Sequence, residues 1–497
     1  MNEDQVLHDL TPEQRAVINN SPYSNDDLAP IPAEERTWGL VNIAHLWVGM
    51  SVCIPTYMLA SSLIAAGMNW WQAILTVAAG NLIVCIPMLL NGHAGTKYGI
   101  TFPVFARASF GTLGTHVASV LRAVVACGWF GIQTWIGGAA IYSLALLALP
   151  DLAETPVIPL LSSDYIDVNI AQFACFLFFW AINIGLFVWK GMDSIKYIEH
   201  WGAPLLIGMG LALLVWAWIN ADGFGPMLTQ PDQFETRADF WRAFFPGLTA
   251  MVGFWATLSL NIPDFTRHAR SQKDQMWGQF LGLNTTMPFY AFVGVAVTSA
   301  TIVIFGEAIW DPVELLARFD SFTLILVSMF ALALATLTTN MAANVVAPAA
   351  AFSNFLPRLI SLRRGALITG LIGILMMPWQ LIANPGVYIF TWLIGYSALL
   401  GPIGGILVCD YFVIRRTRMK LADLYELHGE YGYAKGFNIR AMIALVVAIA
   451  PNVPGFLAQV TDIAVPEGLA NLYNYAWFIG FIIAFLVYGL LMKSARK

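Results

Sequence analysis

Charge is scarce in this sequence: 11% of its 497 residues are Asp, Glu, Lys or Arg, against roughly 25% in globular proteins. A water-soluble enzyme of this length could not cover its surface with so few polar groups. Cysteine is scarcer still. Cys53, Cys85, Cys127, Cys175 and Cys409 stand singly among apolar residues, a pattern without disulfide framework or metal-ligand spacing. With a net charge of −5 and no basic face, nothing favours nucleic acid as a partner. No Gly-rich loop ends in Lys and a hydroxyl residue, and the largest loop, 411–438, is too short for a nucleotide-binding domain. No Asp or Glu lies in the middle of an apolar run, so an obvious proton relay is missing.

Hydrophobic residues make up 58% of the chain, and they fall in runs of about 20 residues, the length a helix needs to cross about 30 Å of hydrocarbon. The runs lie near 39–65, 73–90, 114–149, 171–189, 201–219, 243–262, 280–305, 323–350, 366–383, 386–410, 439–458 and 473–492. They are continuously apolar rather than alternating, which excludes a β-barrel. Twelve spans of an all-α polytopic membrane protein are therefore expected. With the amino terminus inside, 21 of the 25 basic residues fall in inner segments. Only Arg237, Arg242 and Arg318 fall outside, Arg122 lies within the third span, and the outer loops are acidic. That separation satisfies the positive-inside rule and places both termini in the cytoplasm. Residues 1–37, polar and interrupted by Pro12, Pro22, Pro30 and Pro32, read as a mostly flexible cytoplasmic tail without a signal peptide. The core is expected over 38–410, with a cytoplasmic loop at 411–438, two further spans over 439–492 and a short tail at 493–497.

Each polar group inside a span marks a candidate site. Pro55 interrupts the first span, and the backbone freed near Gly49 to Val52 would aim carbonyls into a cavity, unless the proline is a simple packed kink. In the third span, Trp129 and Gln133 share one helix face. An indole beside a carboxamide suits a planar heterocycle carrying N–H and C=O groups, although packing would explain the pair too. Arg122, about 10 Å along the helix from Trp129, is expected to snorkel to the headgroups. The sixth span brings Trp255 and ends in NIPDFTRHAR, where Asp264 and Arg267 are close enough in sequence to pair. The eighth, ALATLTTNMAANVVAPAAAFSN, carries Thr336, Thr338, Thr339, Asn340 and Asn344 among small residues. Neutral oxygens of this kind, with a carbonyl near Ala335, suit a weakly held alkali cation better than zinc, calcium or a redox metal. A helix interface joined by Thr and Asn is the alternative.

The stretches LNGHAGTKYGITFPVFARASFG at 90–111, GWFGIQTW at 128–135, WATLSLNIPDFTR at 255–267, TTNMAANVVAPA at 338–349 and GPIGGILVCDYFVIRR at 401–416 resemble the nucleobase:cation symporter-1 family. The likeness runs from residue 36 through the last span and is strongest to its bacterial allantoin and hydantoin permeases. It implies a LeuT-like fold: two inverted five-helix repeats, about 39–219 and 243–410, then two extra helices. It also implies a heterocycle between Trp129 and Trp255, hydrogen-bonded by Gln133 and Asn340 or Asn344. Sodium would sit between the Gly49 and Val52 carbonyls and Ala335, Thr338 and Thr339. Relative to the family's hydantoin carriers, Cys53 stands where a Gln lies beside the substrate, and Phe254 where a Gly precedes the sixth-span Trp. Both changes point to a ligand other than an arylalkyl hydantoin, such as allantoin or uracil.

The function expected is cation-coupled import of a small planar nitrogen heterocycle by alternating access in the bacterial cytoplasmic membrane. Sodium is the coupling ion implied, with protons as the alternative. An uncoupled uniporter and a cytosine or purine permease remain alternatives. No cofactor and no obligate protein partner are expected, only solute and lipid. An enzyme would need a nucleophile, an acid–base pair or a metal cluster, and the spans offer none.

Overall fold

A computed structural model describes residues 7–190, 192–356 and 359–494. Arg358, Arg496 and Lys497, counted above among the inner basic residues, lie outside them, as does most of the carboxy-terminal tail. The described chain is helical, with only isolated β-bridges beside the helices.

Twelve membrane elements follow one another. Eight are continuous helices long and apolar enough to cross a bilayer, among them Trp70–Tyr98, Thr115–Ala148, Gln272–Phe305 and Phe322–Asn340. The first span is a pair, Leu40–Ser51 and Ile54–Ala65, bent by 60°. The remaining three are Met192–Asn220, the interrupted sixth span from Arg237 to Thr266, and the short ninth helix Leu362–Leu375. Several helices outrun the apolar segments read from sequence, among them Trp70–Tyr98 and Gln272–Phe305. The second span starts on an Asn69–Gln72 capping box and stops at Gly99, whose left-handed φ of 70° favours glycine. The seventh starts where the Ser271 hydroxyl accepts the Asp274 amide.

The seventh span packs along both halves of the first and along the second, the third packs on the eighth, and the tenth on the twelfth. The third span also packs on the ninth helix, and the close approach there explains a glycine of the GWFG motif: a Cβ on Gly131 would lie 2.5 Å from the Gly373 carbonyl oxygen. Exposed Val446, Leu375 and Leu490 belong to the outer apolar surface that lipid covers.

The amino-terminal segment is not the flexible tail its composition suggests. A helix, Pro12–Asn20, begins on a Thr11–Gln14 capping box, and the chain beyond it is fastened by its own buried Arg36 and by buried side chains of the bundle. The Arg36 guanidinium donates to the carbonyls of Ile31 (2.9 Å), Thr96 (3.0 Å) and His8 (3.0 Å). Arg107 reaches Tyr23 O (2.9 Å), and the Tyr425 hydroxyl donates to Leu28 O (2.7 Å). Trp38 bridges to Ala269 and stacks on His268 at 4.9 Å. Side chains thus satisfy carbonyls of this proline-rich stretch: its own Arg36 takes those of Ile31 and His8, and Arg107 and Tyr425 of the bundle take those of Tyr23 and Leu28.

Candidate functional site

The break in the first span occupies Val52 and Cys53, the latter in extended backbone (φ −149°, ψ 158°). The amides that an unbroken helix would aim at Gly49 and Val52 bond elsewhere: Cys53 N to Ser51 O (3.2 Å) and Thr56 N to Cys53 O (3.1 Å). The carbonyls of Gly49 and Val52 thus lose their helical donors. The sixth span is interrupted at Trp255, which leaves the helix for one residue (φ −97°, ψ 5°). The eighth carries a π-helical turn at Met341–Val345, a local widening found often at functional sites.

These three irregularities and the third span border one cavity of about 570 Å³, within the range of about 300–1,000 Å³ typical of small-molecule sites. Cys53, Trp129, Gln133, Phe254, Trp255 and Asn344 all line it. Asn340 does not. Fully buried, its Nδ2 lies within hydrogen-bonding reach of Thr134 Oγ1 (3.1 Å), Phe130 O (3.3 Å) and Asn183 Oδ1 (3.3 Å), and its Oδ1 accepts from Asn344 Nδ2 (3.1 Å). It braces three helices behind the wall that Asn344 faces.

The rings are arranged differently from a simple sandwich. Phe254 stands edge-on to Trp129 (5.2 Å, 71°) and to Trp255 (4.9 Å, 85°), touching both. Behind Trp129 lie Trp392 at 5.6 Å and Tyr396 at 6.3 Å, neither singled out from the sequence. Trp255 is held by its indole N–H, which lies 3.1 Å from Asn81 Oδ1 and 2.8 Å from Met287 Sδ. Only the pairing of helices far apart in sequence could reveal these partners.

Gln133 offers a fixed amide edge, its Oε1 accepting from Thr339 Oγ1 at 3.0 Å. The expected cation oxygens lie next to it: the hydroxyls of Thr338 and Thr339 are 2.7 and 3.1 Å from the Ala335 carbonyl. Three neutral oxygens are gathered there, while Gly49, Val52, Ala335, Thr338 and Thr339 themselves are not on the cavity wall. Among the described residues no cluster of His, Cys, Asp and Glu could hold a metal.

Arg122 corrects the sequence reading. Only 4% exposed, it lines the cavity instead of reaching for headgroups. Its spacing from Trp129 and Gln133 could have revealed this, since positions 119, 122, 126, 129 and 133 form one helical stripe and all five face the cavity. The Asp264–Arg267 pair also fails to form. Asp264 accepts from the Phe102 amide (2.7 Å) and Arg267 donates to Asp27 O (2.8 Å). Asp27, Leu28 and Trp38 close the cavity at the end nearest the amino-terminal segment. There, burial beside Arg267 pushes His268 down to about 4.

Residues 30–480 match the family model of permeases for cytosine/purines, uracil, thiamine and allantoin. A purine-uracil permease of Arabidopsis thaliana is 46% identical over 95% of this chain and 78% of its own. The allantoin permease of Bacillus subtilis is 41% identical over 95% of this chain and 93% of its own. Among solved structures, the inward-facing conformation of Mhp1 is similar with a TM-score of 0.77 at 26% identity, covering 95% of this chain and 94% of that one. Its closed conformation with bromovinylhydantoin bound gives 0.75 at 25% identity, over 96% of both chains. The LeuT-like fold with twelve membrane helices holds.

Proposed function

Because this chain belongs to the family of permeases for cytosine/purines, uracil, thiamine and allantoin, a family of membrane transporters and not of enzymes, we propose that it imports a small planar ring bearing adjacent C=O and N–H groups. Allantoin and uracil are the leading solutes, and import is coupled to sodium. The observation that carries this reading is the convergence of Trp129, Gln133, Phe254 and Asn344 on one cavity at the helix breaks. The indole supplies a stacking face, and the two carboxamides supply both donors and acceptors for an amide-like edge. Neither amide is charged, so a neutral ring enters without an unpaired buried ion.

The coupling proposal rests on the neutral oxygens beside Gln133. The Gly49 and Val52 carbonyls, freed by the break, and the oxygens of Ala335, Thr338 and Thr339 would supply a hard, uncharged donor set suited to an alkali cation. Gln133 touches Thr339, so ion and solute would favour the same arrangement of the third and eighth spans, which coupling requires. In the proposed orientation the amino-terminal segment is cytoplasmic, and the cavity reaches towards that side through Trp38 and Arg267. Phe254, filling the space between the two indoles, excludes bulky ring substituents.

Uptake into proteoliposomes tests the proposal. Labelled uracil or allantoin should accumulate under an inward sodium gradient, be displaced by the other, and stop accumulating when that gradient alone is collapsed. Accumulation that ignores sodium but follows a proton gradient would replace the ion. Equilibration without accumulation under either gradient would leave a uniporter.

A further inference from the structure

The cavity continues past Trp129 into a second polar compartment that the central site leaves unused. About two and three helical turns beyond that indole, Arg122 and Ser119 face the cavity from the third span. Asn261 and Asp264 face it from the sixth, and Thr101 from the connection preceding the helix Phe102–Phe110. Arg122 Nε, Ser119 Oγ, Thr101 Oγ1 and Asn261 Oδ1 are buried without a hydrogen-bond partner. Arg122 makes no hydrogen bond or ion pair among the described residues, although its side chain is almost wholly enclosed. A buried guanidinium left unpaired costs more than its presence in a packed helix could return. Such a concentration of unpartnered donors and acceptors on one wall calls for a partner, water or solute, to complete the bonding.

The chemistry of the wall selects the ligand. Arg122 presents a planar fork of N–H donors, and two hydroxyls can donate or accept. The Asn261 oxygen and the Asp264 carboxylate accept. Arg122 and Arg267 are balanced by Asp264 and Asp27, and His268 is held neutral by its burial. Balanced charge disfavours an anion. A neutral ring presenting C=O beside N–H matches both halves of the wall.

We infer that Arg122, Ser119, Asn261 and Thr101 form a second solute site, about 10 Å from the Trp129–Gln133 site along the third span, where the transported ring pauses before release. This inference rests on the proposed heterocycle function. Arg122 binds the ring's carbonyl oxygen, and Asn261 takes its N–H.

Equilibrium binding of tritiated uracil and tritiated allantoin to the purified full-length protein tests it. Wild type should bind two equivalents of at least one ring. Arg122→Met should leave the tight equivalent unchanged and weaken the other by about 10- to 100-fold, the loss typical of a hydrogen bond to a charged group. Arg122→Lys keeps the charge but not the fork. It should also lose affinity at the second site while melting like wild type, which covers the case of a poorly folded Arg122→Met. Trp129→Ala combined with Gln133→Ala should show the opposite selection, losing the tight equivalent only. A single equivalent in wild type, or two with unchanged affinities in both Arg122 variants, overturns the second site and marks the compartment as a hydrated passage only. If neither ring binds wild type, the heterocycle reading itself falls, and this inference with it.

Discussion

Thr339→Val removes one hydroxyl at nearly constant volume, and that hydroxyl stands where the proposed solute and ion sites meet. Its Oγ1 lies 3.0 Å from Gln133 Oε1, 3.1 Å from Ala335 O and 3.3 Å from Thr336 O. With a single hydrogen it donates fully to one of the three at a time. When Gln133 receives it, the carboxamide is fixed with Nε2 left for a ligand carbonyl. Losing a neutral hydrogen bond of this kind costs about 0.5–1.5 kcal/mol, so heterocycle binding at saturating sodium should weaken by about 2- to 13-fold. The same substitution should raise the sodium concentration needed for half-maximal binding, and Thr339→Ser should restore both. A double-mutant cycle with Gln133→Leu separates the effects. The Val and Leu losses should be non-additive by about 0.5 kcal/mol or more, as for residues in contact. Strict additivity would show that Gln133 does not depend on Thr339, and an unchanged sodium response would remove Thr339 from the cation set.

Phe254→Ala should open the space between Trp129 and Trp255, raising the affinity for a 5-substituted hydantoin relative to unsubstituted hydantoin. It should cost less than the ~3–5 kcal/mol of a core Phe→Ala because the ring already borders a cavity; an unchanged preference in competition binding would refute the role. Asn340→Ala should lower the melting temperature by stranding its buried partners, about 1–3 kcal/mol, while Asn344→Ala should reduce solute affinity more. The reverse order would put Asn340 in direct contact with the ligand. Burial lifts the Asp311 carboxyl from 3.8 to about 6 although Val313 N donates to it at 2.8 Å. Folding therefore favours its protonated form relative to the unfolded chain, a stabilisation present below its ordinary range and lost as the pH rises through about 6. Asp311→Asn keeps the amide acceptor and cannot ionise, so its melting temperature should gain on wild type between pH 4 and pH 7. A constant difference across that range would contradict the burial argument.

How legible the molecule was depends on the range of the forces concerned. The spans were readable because hydrocarbon demands long apolar helices, and the break at Val52–Cys53 because Pro55 leaves a backbone donor missing. The pairing of Trp129 with Gln133 on one face followed from α-helical periodicity. The same periodicity misled at Asn340 and Asn344. Placed four apart, they share a face in a regular helix, but the π turn at Met341–Val345 begins between them, and one braces while the other faces the cavity. Depth along the helix alone does not reveal the place of Arg122, which follows from the stripe it shares with Trp129. The docked amino-terminal segment was hidden for a further reason: its anchors, Arg107 and Tyr425, are supplied by distant parts of the chain, and composition carries no record of them.

The central claim, one cavity reached alternately from the two sides of the membrane and filled by the solute, can be tested at Cys53, which lines that cavity at the first-span break and is 6% exposed. With Cys85, Cys127, Cys175 and Cys409 replaced by alanine, a membrane-impermeant thiol reagent is applied to oriented vesicles from each side in turn. The account predicts that Cys53 reacts from both sides at rates that shift in opposite directions when sodium is added, and that saturating heterocycle slows both. Reaction from one side only, under every ionic condition and at a rate indifferent to the heterocycle, would contradict it.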